Sequence, residues 1–241
     1  MPKNAIAPTD TIFYPSSDGE PVAESYDHLY ALLTTLEVLK QYLSDRRATV
    51  LGNQFMYYAC GFPKLRVAPD VMVIFDVELG GRDNYKIWEE GQTPQVIFEM
   101  TSPGTREEDI TRKKDLYQNL DVLEYWLFDP KGEWIEEKLR GYRLQGGTYI
   151  PITDSRSQPL QLRLQVEDKL IGFYREDTGE KLLVPEELSA ALKNENRQRM
   201  EAEEQVRIER ERAELERKRA EAIEAQLARY REQFGDLPNN F

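Results

Sequence analysis

From Pro185 to Phe234 the chain reads PEELSAALKNENRQRMEAEEQVRIERERAELERKRAEAIEAQLARYREQF, with no glycine and no internal proline. Glu, Arg and Ala, all good helix formers, dominate it. Its apolar residues are too sparse to build a core. The pattern predicts one continuous helix, roughly 75 Å long at ~1.5 Å per residue. The folded domain must therefore lie upstream. The divisions this implies are an N-terminal arm at 1–22, a domain at 23–184, the charged helix at 185–235 and a tail at 236–241. Val206, Ala213, Ala220, Leu227 and Phe234 recur every seventh residue. The companion row is Ala202, Glu209, Glu216, Ile223 and Tyr230, so the seam is weak in its middle and better toward its end. A coiled coil, supporting a homo-oligomer such as a dimer, and a solvated, salt-bridged single helix both fit this pattern. A membrane-surface helix fits less well, because the apolar stripe is thin and the charge mixed.

Upstream, helical and strand-like periods alternate. ESYDHLYALLTTLEVLKQYL carries Tyr26, Leu29, Leu32, Leu33, Leu36, Leu39 and Leu43 at spacings of three and four, with Ser25 as N-cap. TVLGNQFMYYA, RVAPDVMVIFD, QVIFEMTS and EYWLFDP read as strands. Shorter strands follow in GYRLQGGTYIPI, LQLRLQV and KLIGFYRE. TREEDITRKKDLYQNL reads as a second helix, with Thr105 and Glu108 spaced for a capping box. Strands interleaved with two long helices predict an α/β fold, a mixed sheet with a helix on each face.

The net charge of -12 is spread over both parts. Residues 1–185 hold 30 acids against 21 bases, and 186–241 hold 14 against 11. This counts against broad affinity for a phosphate backbone, though it leaves room for a local basic groove or a metal-neutralised acidic site. Cys60 is the sole cysteine, which excludes an intrachain disulfide and a cysteine metal site. With no signal-like segment and no apolar run of spanning length, a cytoplasmic, membrane-free protein is expected.

Two acids interrupt the strand runs. Asp70 follows Pro69 at the start of VMVIF, and Glu99 sits inside VIFEM. At a period of two, Ile97, Glu99 and Thr101 share one face, and Val96, Phe98 and Met100 the other. A buried, unpaired carboxylate there would cost several kcal/mol or take up a proton. A compensating group is therefore expected. On a wheel of about 100° per residue, Leu116, Tyr117 and Leu120 define an apolar face, and Lys113 falls in its middle. Lys113 should point toward the sheet and Glu99 unless its stem snorkels outward. Asp, Glu and Lys converging on a sheet edge suit Mg²⁺-assisted phosphodiester hydrolysis. A buried ion cluster that fixes the fold fits the spacing equally well.

The segments APDVMVIFD, VIFEMTSPGTREEDITRKKDLYQNL and VLEYWLFDP resemble, in this order, the Uma-two family of the PD-(D/E)XK nuclease superfamily, a domain-of-unknown-function group related to restriction endonucleases. The resemblance implies a restriction-endonuclease-like fold over about residues 22–180. It also implies catalytic Asp70, Glu99 and Lys113, with Asp70 and Glu99 holding Mg²⁺ or Mn²⁺, and DNA as the substrate. Thr101 stands where the superfamily places lysine. The family pattern supplies its lysine from the next helix, which matches Lys113. Tyr117 matches the family's tyrosine, as a core residue or a hydrogen-bond partner. Related nucleases often draw a further metal-site acid from the first helix, where Glu24 stands. By its position alone Glu24 reads as a solvated helix-start acid. His28 is the only histidine, so a histidine metal site and a Ser–His triad have little support, and it reads as a boundary residue. Asp109, four residues before Lys113, could simply pair with it. GGRDNYKIW lacks the spacing of a phosphate-binding loop. The functions in view are a Mg²⁺-dependent endonuclease, a non-enzymatic module associating through its long helix, and a nucleic-acid binder that does not cleave.

Overall fold

The computed structural model describes residues 12–17, 19, 24–102 and 104–235. Most of the predicted arm (1–11, 18 and 20–22), Pro103 of the Ser-Pro-Gly turn and the tail at 236–241 lie outside the described residues. The chain divides into two compact units, Met1–Pro185 and Glu186–Phe241.

In the first unit the elements run α1 (Tyr26–Tyr42), β1 (Ala48–Gly52), β2 (Met56–Tyr57), β3 (Arg66–Val67), β4 (Val71–Phe75), β5 (Tyr85–Lys86), α2 (Ile87–Glu90) and β6 (Val96–Met100). Next come α3 (Arg106–Glu108), a π-helical turn (Asp109–Lys113), α4 (Lys114–Asn119) and β7 (Glu124–Phe128). The hairpin β8 (Leu139–Gln145) and β9 (Thr148–Ile152) follows, then β10 (Arg156–Ser157), β11 (Leu162–Glu167) and β12 (Leu170–Arg175). The main sheet has the order β1-β4-β6-β7-β8-β9. Its central β6–β7 pair is parallel and its other pairs antiparallel, so the sheet is mixed as the sequence predicts.

The period-two reading of VIFEM gives the two faces. Val96, Phe98 and Met100 join Leu32, Val38 and Leu39 of α1 in one core, which Leu162, Leu164 and Phe173 of the β10–β12 sheet complete. Ile97 joins Tyr117, Tyr125, Tyr142 and Tyr149 in the core on the opposite face. All five residues of β6 and of β7 are buried, as expected for a parallel pair covered on both sides. The β8–β9 turn uses Gly146 and Gly147 at φ 58 and 80, the left-handed pair that a two-residue hairpin needs.

Several local expectations change. TVLGNQFMYYA breaks into β1 and β2 at Asn53, whose φ is 49. The apolar spacing of α1 is wider than its buried face: Tyr26, Leu29 and Leu33 are exposed, while Thr34 and Thr35 are buried. Tyr14, within the predicted arm, packs edge-on against Tyr57, and the Tyr57 hydroxyl donates to the Pro15 carbonyl.

β7 contains another carboxylate within an apolar run. Glu124 is fully buried, and its oxygens are satisfied by the Arg143 guanidinium (3.0 Å), the Gln158 N–H (3.0 Å) and the Trp126 indole N–H (3.2 Å). All these partners are internal to the fold, so the acid needs no further group to offset its burial. Arg143→Met should leave it unpaired and lower unfolding free energy by about 3–5 kcal/mol. Denaturant unfolding measures this, and a change below ~1 kcal/mol would refute the assignment.

The second unit holds α5, Pro185–Phe234. Its flanks carry ion pairs one turn apart, among them Arg207 with Glu204 and Lys218 with Glu214. Among the described residues, no helix is long and apolar enough to cross a membrane.

Candidate functional site

Antiparallel pairing of β4 with β6 matches Val71 to Phe98 and Met72 to Ile97. One further step along that register places Asp70 opposite Glu99. The Asp70 carboxylate does not continue the ladder. Its Oδ2 accepts the Met100 backbone N–H at 2.7 Å, which fixes the carboxylate at the end of the strand pair.

Glu99 is 1% exposed and points to the face covered by the second helical segment. Its Oε2 lies 2.9 Å from the Lys113 ammonium, and its Oε1 accepts the Tyr117 hydroxyl at 2.7 Å. Lys113 also lies 2.9 Å from Asp109, itself buried. The wheel position of Lys113 is realised, but through a backbone it did not foresee. Asp109–Lys113 is wound as a π-turn, a form that accumulates at functional sites. The Tyr125 hydroxyl donates to the Asp109 carbonyl at 2.9 Å and helps to hold this turn against the sheet. The predicted capping box is absent. Thr105 has helical rather than extended backbone angles, and its side chain accepts the Ser102 N–H instead of the N–H of Glu108.

The electrostatics follow from burial. Desolvation pushes Glu99 above the usual carboxylate value; Lys113 opposes this, and the Asp70 and Asp109 charges add to it. Burial alone would lower Lys113, but Glu99 and Asp109 outweigh it and hold the ammonium above the usual lysine value. Burial and the Glu99 charge raise Tyr117 well above its ordinary value, so its hydroxyl stays a donor.

Helix α1 contributes two groups that sequence reasoning set aside. Ser25 caps the helix, accepting the His28 N–H at 3.4 Å. His28 Nε2 then sits 3.2 Å from Glu24 Oε2 and 3.6 Å from Asp70 Oδ2. The signal that could have found this pair is the spacing of Glu24 and His28, one helical turn apart. His28 is raised on balance: burial opposes, but the nearby Asp70 and Glu24 carboxylates prevail. Glu24 is raised chiefly by burial, with Asp70 adding and His28 opposing.

Four acids (Glu24, Asp70, Glu99 and Asp109) thus gather around one lysine and one histidine. That imbalance is what a bound cation would correct. Donor atoms of Glu24, His28 and Asp70 all lie within 4.8 Å of one another. The Glu99 oxygens already bond Lys113 and Tyr117, yet each retains a lone pair. Asp129 of the EYWLFDP segment is spent otherwise, accepting the N–H groups of Gly132, Trp134 and Ile135.

The family model of Uma2, described as "Putative restriction endonuclease", matches residues 8–171, more than half of the chain. The chain belongs to the Uma2 family. Among solved structures, it is similar to a "putative nuclease belonging to DUF820" from Anabaena variabilis ATCC 29413. Identity is 16%, the TM-score 0.41, and the match covers 57% of this chain and 72% of that one. No curated protein matches the chain.

In this Uma2 chain the Tyr117 hydroxyl supports a buried carboxylate. Tyr117→Phe should therefore cost about 1–3 kcal/mol, the usual penalty for an unsatisfied buried acceptor. Urea unfolding checks this, and undiminished stability would show that the bond contributes nothing.

Proposed function

We propose that the protein is a metal-dependent endonuclease that hydrolyses phosphodiester bonds in DNA. Asp70 and Glu99 would hold Mg²⁺ or Mn²⁺, and Lys113 would assist the attack. The observation that supports this most is the buried Glu99–Lys113 pair with Asp70 hydrogen-bonded to the residue after Glu99. A divalent cation held there supplies Lewis-acid activation of water and neutralises phosphoryl charge.

The protein's own groups have separable tasks. Asp70 is oriented by the Met100 N–H, and a carboxylate so held keeps lone pairs with which to ligate. The Lys113 ammonium keeps its proton, held by two carboxylates, and therefore acts as a fixed positive charge rather than a base. It stabilises charge that develops on the phosphoryl oxygens and helps to orient the attacking water. Tyr117 and Asp109 position Glu99 and Lys113 and need not touch substrate.

Asp70→Asn should reduce nicking of supercoiled plasmid in Mg²⁺ or Mn²⁺ by about 10²–10³-fold, with the fold retained. Wild type and variant that are equally inert on varied DNA substrates would end this reading.

A second reading, a non-enzymatic module that self-associates through α5, is favoured by one feature. Val206, Ile223, Leu227 and Tyr230 of the heptad rows are about half exposed or more along that helix. If α5 forms a two-stranded coil, the full chain should sediment as a dimer, and Ile223→Glu with Leu227→Glu should return it to monomer. A monomeric wild type removes this reading.

A further inference from the structure

We propose that Glu24 and His28 join Asp70 in the cation-binding set of this site, and that the His28 imidazole makes it select Mn²⁺ over Mg²⁺. This deepens the nuclease reading and rests on it for what the ion is used for, but not for the ion's binding.

The geometry is that of a tripod. Glu24 stands just before the N-cap of α1 and His28 in its first turn, and Asp70 meets them from just before β4. Their donor atoms lie within 4.8 Å of one another. Donors on opposite sides of one small cation, at bonds of about 2.1 Å, stand about 4.2 Å apart, so small side-chain adjustments close the set. His28 Nε2 is buried and finds no aligned hydrogen-bond acceptor, although two carboxylates flank it. The ring nitrogen is thus aimed between two acids, where all three donors can face one cation.

A separate observation concerns the other side of His28. Thr101 is 2% exposed, and its hydroxyl has no partner among the described residues. It lines, with His28 and Ser25, a cavity of about 30 Å³. That is enough for one water. A water carried by the cation would supply the missing partner of Thr101. This gives a use to the residue standing where the superfamily places lysine.

Selectivity follows from ligand type. Mg²⁺ prefers oxygen ligands and keeps its waters, whereas imidazole suits first-row transition ions. One nitrogen and two carboxylates therefore favour Mn²⁺.

The test uses full-length, untagged protein without nucleic acid. Because His28 is the sole histidine, any imidazole nitrogen coupled to bound Mn²⁺ in an electron spin-echo experiment belongs to it. The expected results are imidazole ¹⁴N coupling in wild type, Mn²⁺ affinity at least ~10-fold weaker in His28→Gln and Glu24→Gln, and displacement of Mn²⁺ only by a large excess of Mg²⁺. Absent Mn²⁺ binding, absent nitrogen coupling, unchanged affinity in His28→Gln, or displacement by equimolar Mg²⁺ would each overturn the proposal. If His28→Gln fails to fold, the wild-type nitrogen coupling decides alone. Nitrogen-coupled Mn²⁺ without hydrolysis of any DNA removes the nuclease reading and leaves this site standing. Mg²⁺-supported hydrolysis without Mn²⁺ coupling does the reverse.

Discussion

The ion pair between Glu99 and Lys113 is the contact on which the arrangement of the site depends. Burying a carboxylate at the centre of a sheet costs several kcal/mol unless its charge is met, and a cation 2.9 Å away meets it. The same contact fastens the second helical segment to β6. The π-turn carries Lys113, with Asp109 bracing it and the Tyr125 hydroxyl holding the turn's first carbonyl. Sheet, turn and charge therefore fix one another.

The pair does not neutralise its surroundings. Asp70, bonded to the residue after Glu99, and Glu24, just before α1, leave the acids in excess, with His28 between them. Glu124 shows what a structural acid looks like in the same sheet: every oxygen is bonded, and one arginine is paired with it. The contrast gives chemical meaning to the surplus at the other site.

Much of this was legible in the residues. The parity of VIFEM assigned Glu99 to the face of the second helix, and a helical wheel turned Lys113 toward it. The break at Pro185 marked α5, because a run so charged cannot supply a core. Other features were hidden for physical reasons. A wheel assumes a uniform twist, and the π-turn departs from it. The Thr105–Glu108 spacing satisfied a capping pattern, but the chain enters the helix with Thr105 already in helical conformation and its hydroxyl turned to Ser102. His28 was set aside because a single histidine makes no metal site by sequence counting. Its partners are one turn away on α1 and forty-two residues away at β4, and only the fold brings the latter near.

The central claim is that this surplus of acid holds a divalent cation beside the Glu99–Lys113 pair. An anomalous difference map from crystals soaked in Mn²⁺ tests it directly. The account predicts a peak bonded to the Asp70 carboxylate at about 2.2 Å, with Lys113 still protonated and paired to Glu99 nearby. A map with no peak at Asp70, under conditions where the protein is saturated with Mn²⁺ elsewhere, would contradict it and leave the cluster as a device of the fold.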